Sequence, residues 1–267
     1  MFSRIAVPFI FFLFLSQSLL FSQTAPDHAQ WDRLLKQYVH HGLVDYETLA
    51  KDRSGLDDYL HQLEIYPLES FSELSREDRI AFWINLYNAS VIRIILDDYP
   101  VQTINQIPAV FEIRKIQAIG EYFSLSELMD NVLRKGFRDE RILTALASGR
   151  MDSPRLFGEA FDGKKIDEQL DRAAREFSEN PDLNQIKAGS KKIYLSPLFQ
   201  KFGADFLVNY GSSPVAHYSV DQSAVVSFLL HHLTDPDKRI FLDSARYKIE
   251  YLPEDPRLNA VSMNKPS

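Results

Sequence analysis

The sequence predicts an α+β fold in a single domain. A helix-rich N-terminal half surrounds one buried central helix, and short strands and hairpins occupy the C-terminal half. Three observations carry this reading. The stretch SREDRIAFWINLYNASVIRIIL, Ser75 to Leu96, is apolar on nearly every side, the mark of a helix inside a core. Amphipathic spacing at helical period recurs on both sides of it. The extended segments are short and scattered, and they do not alternate with helices as a doubly wound parallel sheet requires.

Each element has a local cause. Asp27 can cap a helix in which Trp31, Leu34, Leu35, Tyr38 and Val39 share a face, and Gly42 ends it. LVDY, Leu43 to Tyr46, is a short extended piece. Leu56, Tyr59, Leu60 and Leu63 mark a second amphipathic helix, broken by Pro67. Ser75 starts the central helix. Glu77 and Asp78 stand in its first turn, where carboxylates complement the helix dipole. The helix runs to Asp97, and Pro100 closes the region.

Residues 111–125 read as a hairpin turning at Gly120. Ser124 and Glu127 spell a capping box for a helix with Leu125, Leu128, Val132 and Leu133 on its apolar face. Residues 142–147 read as a buried strand, with a short helix as the alternative, and a loop follows from Ser148 to Phe157. Ile166, Leu170, Ala173, Ala174 and Phe177 give a helix ended by Pro181. A strand at 191–195, helical turns at 196–206, a helix at 223–233 and a strand at 247–252 complete the chain.

The first 25 residues have the order of a secretory signal peptide. Arg4 precedes an apolar run from Ile5 to Leu15, and small and polar residues follow through Ala25. The unbroken run is shorter than a membrane span, so no stable transmembrane segment is expected after cleavage near Ser22 or Ala25; an uncleaved anchor is the alternative. Residues 26–267 are expected to form the domain, in the periplasm or secreted. The chain has no cysteine, which removes disulfides, thiolate nucleophiles and sulfur metal sites together. A net charge of −7 without a basic stripe argues against nucleic acid.

Few residues suggest chemistry. Asn85 and Asn88 are three apart on a buried helix, so they share a face and their amides need partners. A structural tether to irregular backbone is the reading preferred over a catalytic amide. His40 with His41, and His231 with His232, fall near expected helix ends, where imidazolium is favourable; neither pair has metal-ligand spacing. His217 is the only histidine in an expected loop and the best single acid-base residue. Ser148 and Ser153, in ALASGRMDSP, lack the nucleophile-elbow pattern. No Gly-rich phosphate loop is present, and no cofactor is expected.

LVDY, SREDRIAFWINLYNASVIRIIL, FSLSELMDNVLR, DERI, FDGKKIDEQLDRAAREF, YLSPLF and ADF follow one another in this order. In these landmarks the chain resembles the family called domain of unknown function 547, found in bacterial proteins and some plant proteins. The resemblance spans nearly all of the chain after the leader. It also implies departures. Leu143 stands at the family's histidine place, Ala147 at its asparagine, and Ser148 and Ser153 at its two cysteines. Met129 and Asp130 replace a Glu-His pair, and Lys201 a tryptophan. The reactive types of the family are thus missing here, while Asp45, Tyr46, Asn85, Asn88, Asp139 and Arg141 remain as polar groups of the scaffold or a pocket. The resulting expectation is a degenerate, non-catalytic binding or structural module for an envelope or extracellular protein or ligand. The alternative is a hydrolase using Ser148 or Ser153 with His217. A metal-dependent protein is a third possibility.

Overall fold

The structure is a computed structural model that describes residues 25–212, 215 and 217–261. The expected leader, apart from Ala25, lies outside the described residues. Helices make up 55% of the described residues, and each of the three sheets among them has two strands, which places the fold in the α+β class.

The N-terminal half begins with α1 (Ala29–Tyr38), which buries Trp31, Leu35 and Tyr38. Strands β1 (Val39–His40) and β2 (Leu43–Val44) pair antiparallel across the turn at His41 and Gly42. Asp45 then accepts a hydrogen bond from Thr48 N and starts α2 (Tyr46–Lys51), a helix the extended reading of LVDY did not include. Next come α3 (Ser54–Glu64), α4 (Leu68–Ser72) and the central α5 (Arg76–Asp97). Ser75 caps α5 as its sequence predicts, accepting from Asp78 N. Among the described residues α5 is the one helix long and apolar enough to cross a membrane, but 89% of its apolar window is buried inside the fold.

The hairpin is β3 (Ile116–Ala118) with β4 (Glu121–Phe123), and the Ser124–Glu127 capping box opens α6 (Leu125–Glu127). A π-helical run, Leu128–Arg134, carries it into α7 (Lys135–Phe137). The segment read at 142–147 as a strand, with a short helix as the alternative, takes the helical form, a 3-10 helix at Glu140–Ala145. Asp139 caps it by accepting from Arg141 N, and side-chain amides, described below, hold its exit in place of a strand ladder.

The C-terminal half is more helical than its sequence reading. It holds α8 (Ile166–Glu179), β5 (Lys192–Leu195), α9 (Pro197–Phe202), α10 (Leu207–Tyr210), α11 (Val220–His232), α12 (Pro236–Asp243) and β6 (Lys248–Tyr251). Here β5 and β6 pair in parallel, and both hairpins lie earlier in the chain.

Two apolar clusters form the core. One is built around α5, and the other gathers Phe177, Phe199, Phe206 and Phe228 with Leu143 and Ile193. The phenylalanines of the second meet mostly edge to face, with Phe206 and Phe228 centroids 4.8 Å apart, the favoured aromatic geometry. Residues 256–261 strap the first cluster. Ile104 N bonds Pro256 O (2.9 Å), Asn259 N bonds Gly149 O (3.0 Å) and Val44 N bonds Asn259 O (2.8 Å).

Candidate functional site

The two asparagines of α5 act on backbone. Asn85 Nδ2 donates to Phe161 O (2.8 Å) and its Oδ1 accepts from Phe161 N (3.0 Å). Asn88 Nδ2 donates to Ala145 O (3.0 Å) and its Oδ1 accepts from Ala147 N (2.9 Å). Each amide thus satisfies one N–H and one C=O of a segment with no ladder of its own. Together they grip the chain at 145–147 and again at 161. The intervening segment holds the ALASGRMDSP loop and the run from Arg155 to Ala160. Asn85 therefore holds Phe161, and neither amide reaches the LVDY stretch.

That held segment forms one wall of a cleft of about 710 Å3. Its wall runs from Arg155 to Glu159. Lys36, Val39 and the His41–Gly42 turn form one side, and Thr144 with the face of α8 bearing Arg172, Glu176 and Glu179 forms the other. The wall is tied in several places. Leu156 N bonds Gly42 O (3.4 Å), Ala160 N bonds Asp32 Oδ1 (3.1 Å), and Gln169 Nε2 bonds Ala160 O (2.9 Å).

Gly42 has φ +78°, and a Cβ there would lie 2.5 Å from Arg155 Cβ, so both the turn and the approach of the wall need glycine.

The charge layout in the cleft is uneven. Arg172 lies over the Phe157 ring, Cζ 4.9 Å from its centroid, and its Nη2 pairs with Glu159. Its Nε–H is buried without an acceptor. Burial would raise the Glu159 carboxyl, but the bonds from Gln169 and Arg172 outweigh it and hold the group below its usual range. Partial desolvation pushes the Glu176 carboxyl up, and Glu176 makes no hydrogen bond or ion pair among the described residues. The cleft thus offers an apolar surface from Leu156 and Phe157, the Arg172 guanidinium, and a Glu176 carboxylate that has no hydrogen-bond or ion-pair partner among the described residues.

The other sequence candidates lie elsewhere. Ser153 is buried, and its hydroxyl donates to Arg150 O (2.7 Å). Ser148 is half-buried beside Gly149, whose position abuts Ile95, Val91 and Ile104 of the first core cluster. His217 is exposed, its Nε2 2.8 Å from Ala245 O, and its ring lies tilted against that of Tyr218, which packs on the second cluster. No hydrogen bond joins either serine to this imidazole. Tyr46 OH donates to Asn259 Oδ1 (2.8 Å), tying α2 to the C-terminal strap. Arg141 bridges Asp139 (2.8 Å), Asp167 (3.0 Å) and Asp171 (2.7 Å), which pins the 3-10 turn to α8. The places of altered chemistry are filled structurally. Leu143 is buried in the second cluster, Asp130 pairs with Arg134, and Lys201 lies over the Phe202 ring.

The histidine pairs also differ from their sequence reading. His40 pairs in β1 and His41 occupies the left-handed region, so neither caps α1. His232 ends α11, but burial lowers it to about 4, with His231 adding to the shift, so it is not the imidazolium expected there. Among the described residues no group of three or more His, Asp or Glu is arranged to hold a metal ion.

Sequence reasoning missed Arg155, Phe157, Arg172 and Glu176. The one signal for them was Arg172 and Glu176 at i,i+4 on a helix, which surface helices commonly show.

No curated protein and no solved structure matches the chain. One family model does, over residues 71–177. That span holds α5, the 3-10 turn, the cleft wall and most of α8, while LVDY, YLSPLF and ADF fall outside it. The family recognised from the landmarks is thus the one matched by residues 71–177, "Protein of unknown function, DUF547".

Proposed function

We propose that this is an exported, non-catalytic binding module whose ligand enters the cleft between the Arg155–Glu159 wall and α8. The observation that carries this reading is the cleft itself. Its volume suits a small-molecule or short-peptide ligand, and its wall is fixed at both ends by amides of the innermost helix. Preorganisation of this kind lowers the entropy lost on binding. The Arg172 guanidinium calls for an acceptor, Glu176 for a cation, and Phe157 with Leu156 for an apolar body. A short zwitterionic peptide carries all three.

The commitment of the Ser153 hydroxyl to Arg150 O, and of His217 to Ala245 O, supports the non-catalytic part. Export rests on the leader-like first 25 residues.

Two measurements test the reading. A fluorophosphonate probe is expected to leave the protein unlabelled; labelling abolished by Ser148→Ala or Ser153→Ala would establish a serine hydrolase instead. A dipeptide panel, followed by NMR shifts, is expected to perturb the Phe157 ring in the unmodified chain and not in Arg172→Met. A panel that moves no cleft resonance removes the peptide assignment.

A further inference from the structure

The interior of α5 carries a single charged side chain. Its other charges sit in its first turn, from Arg76 to Arg79, and at its last residue, Asp97. Arg93 lies between them, half-buried among apolar neighbours. Its Nε is inaccessible and has no acceptor, and no carboxylate comes within ion-pair distance of it among the described residues. An arginine in such surroundings usually sits against a carboxylate, because an uncompensated charge there is unfavourable.

The guanidinium borders a hollow of about 180 Å3, large enough for a group of a few heavy atoms. Lys115, Gln117, Tyr122 and Glu64 line the same space. Gln117 and Tyr122 are cross-strand partners in the β3–β4 hairpin, so their side chains share one face of it. Lys115 Nζ is only loosely engaged, 3.5 Å from Glu127 Oε2. That carboxylate already accepts from Ser124 N at 2.7 Å. Glu64 is the one acidic side chain in the lining. It lies 3.6 Å from His61 and not against Arg93. None of these residues belongs to the cleft proposed above.

We propose that this hollow is a binding site for a small oxyanion of the phosphate or carboxylate type, with the two terminal nitrogens of Arg93 as its main ligand and Lys115 as the second cation. Arginine suits this role because its planar donors match two oxygens of one anion. Gln117 and Tyr122 can donate to the remaining oxygens. Glu64 at the rim opposes the anion and weakens its binding.

The test uses the full chain at neutral pH. Equilibrium dialysis against radiolabelled inorganic phosphate is expected to retain a single phosphate per chain, displaced by excess acetate if the site takes carboxylates as well. Thermal unfolding is then compared in phosphate and in chloride of equal ionic strength. Phosphate should raise the Tm of the unmodified protein by several degrees more than that of Arg93→Met, because a ligand bound only to the folded state stabilises it by mass action. The difference between the two proteins is the readout, since phosphate also stabilises proteins by exclusion from their surface. Glu64→Gln should tighten phosphate binding several-fold. In chloride, Arg93→Met should unfold no lower than the unmodified chain. No retained phosphate, or an equal rise in both proteins, overturns the proposal. So does a loss of stability in chloride shared by Glu64→Gln and Arg93→Met, which would make Glu64 the partner of Arg93 in solution.

Discussion

Asn85 and Asn88 are buried at 0% and 2% exposure on a helix whose neighbours are almost all apolar. Their amides replace what a strand partner would give to Phe161, Ala145 and Ala147. Leucine at either position keeps the branched outline of the side chain, with bulkier ends, and removes both bonds, leaving one N–H and one C=O buried and unpaired. Each orphaned group costs about 1–3 kcal/mol. Asn85→Leu and Asn88→Leu are each expected to lower the unfolding free energy measured by urea titration by an amount on that scale, without loss of cleft affinity where the protein stays folded. Unchanged stability with lost affinity would make the asparagine a ligand-binding group. Tyr46 works in the same way at smaller scale, as one hydroxyl joining α2 to Asn259.

At the scale of elements, the cleft depends on how closely the β1–β2 turn approaches the Arg155 wall. Gly42 sets that approach. Alanine there meets a backbone conformation it rarely adopts and the Cβ of Arg155, an atom that cannot move without its main chain. Gly42→Ala is therefore expected to cost more than about 1 kcal/mol in unfolding free energy and to weaken binding in the cleft. Gly120→Ala is the control, since its Cβ would meet nothing within 4 Å although its φ is also positive. Equal effects from the two substitutions would show that backbone strain, and not wall contact, is what Gly42 relieves. The helix α8 serves two purposes. Asp167 and Asp171 hold Arg141, while Arg172 and Glu176 face the cleft.

Across the whole molecule, the half-buried His28 and the buried His232 link stability to pH. His28, bonded to Tyr59 OH at 2.7 Å, is lowered to about 4 by burial despite the pull of Asp162, Asp27 and Asp78. His232 is lowered to about 4 by burial and by His231. The unfolded chain binds these protons near 6.5, so between about 6.5 and 4 it holds more protons than the folded chain. Stability is then complete above the upper value, falls as pH falls through the window, and loses nothing further from these groups below it. Glu140, raised by burial, acts in the opposite direction. Denaturant midpoints from pH 7 to 4 should decline less steeply in a His28→Asn, His232→Asn double variant than in the unmodified chain. An identical slope would mean that the two rings are protonated in the folded state.

The sequence by itself determined what depends on neighbours along the chain. The Ser75 cap, the Ser124–Glu127 box, the buried α5 and the amphipathic α1, α3 and α8 were legible because periodicity and capping act within a few residues. The need of Asn85 and Asn88 for irregular backbone partners was legible as well, since a buried amide must be paired wherever it lies. Tertiary structure decided which backbone they hold. It also decided that residues 140–145 coil where their apolar run suggested a strand, because Asn88 and the Asp139 cap supply the bonds a ladder would have given. The cleft and the lone Arg93 were decided there too. Both arise from groups brought together across long stretches of chain, and whether a charge finds a partner is settled only when distant segments pack.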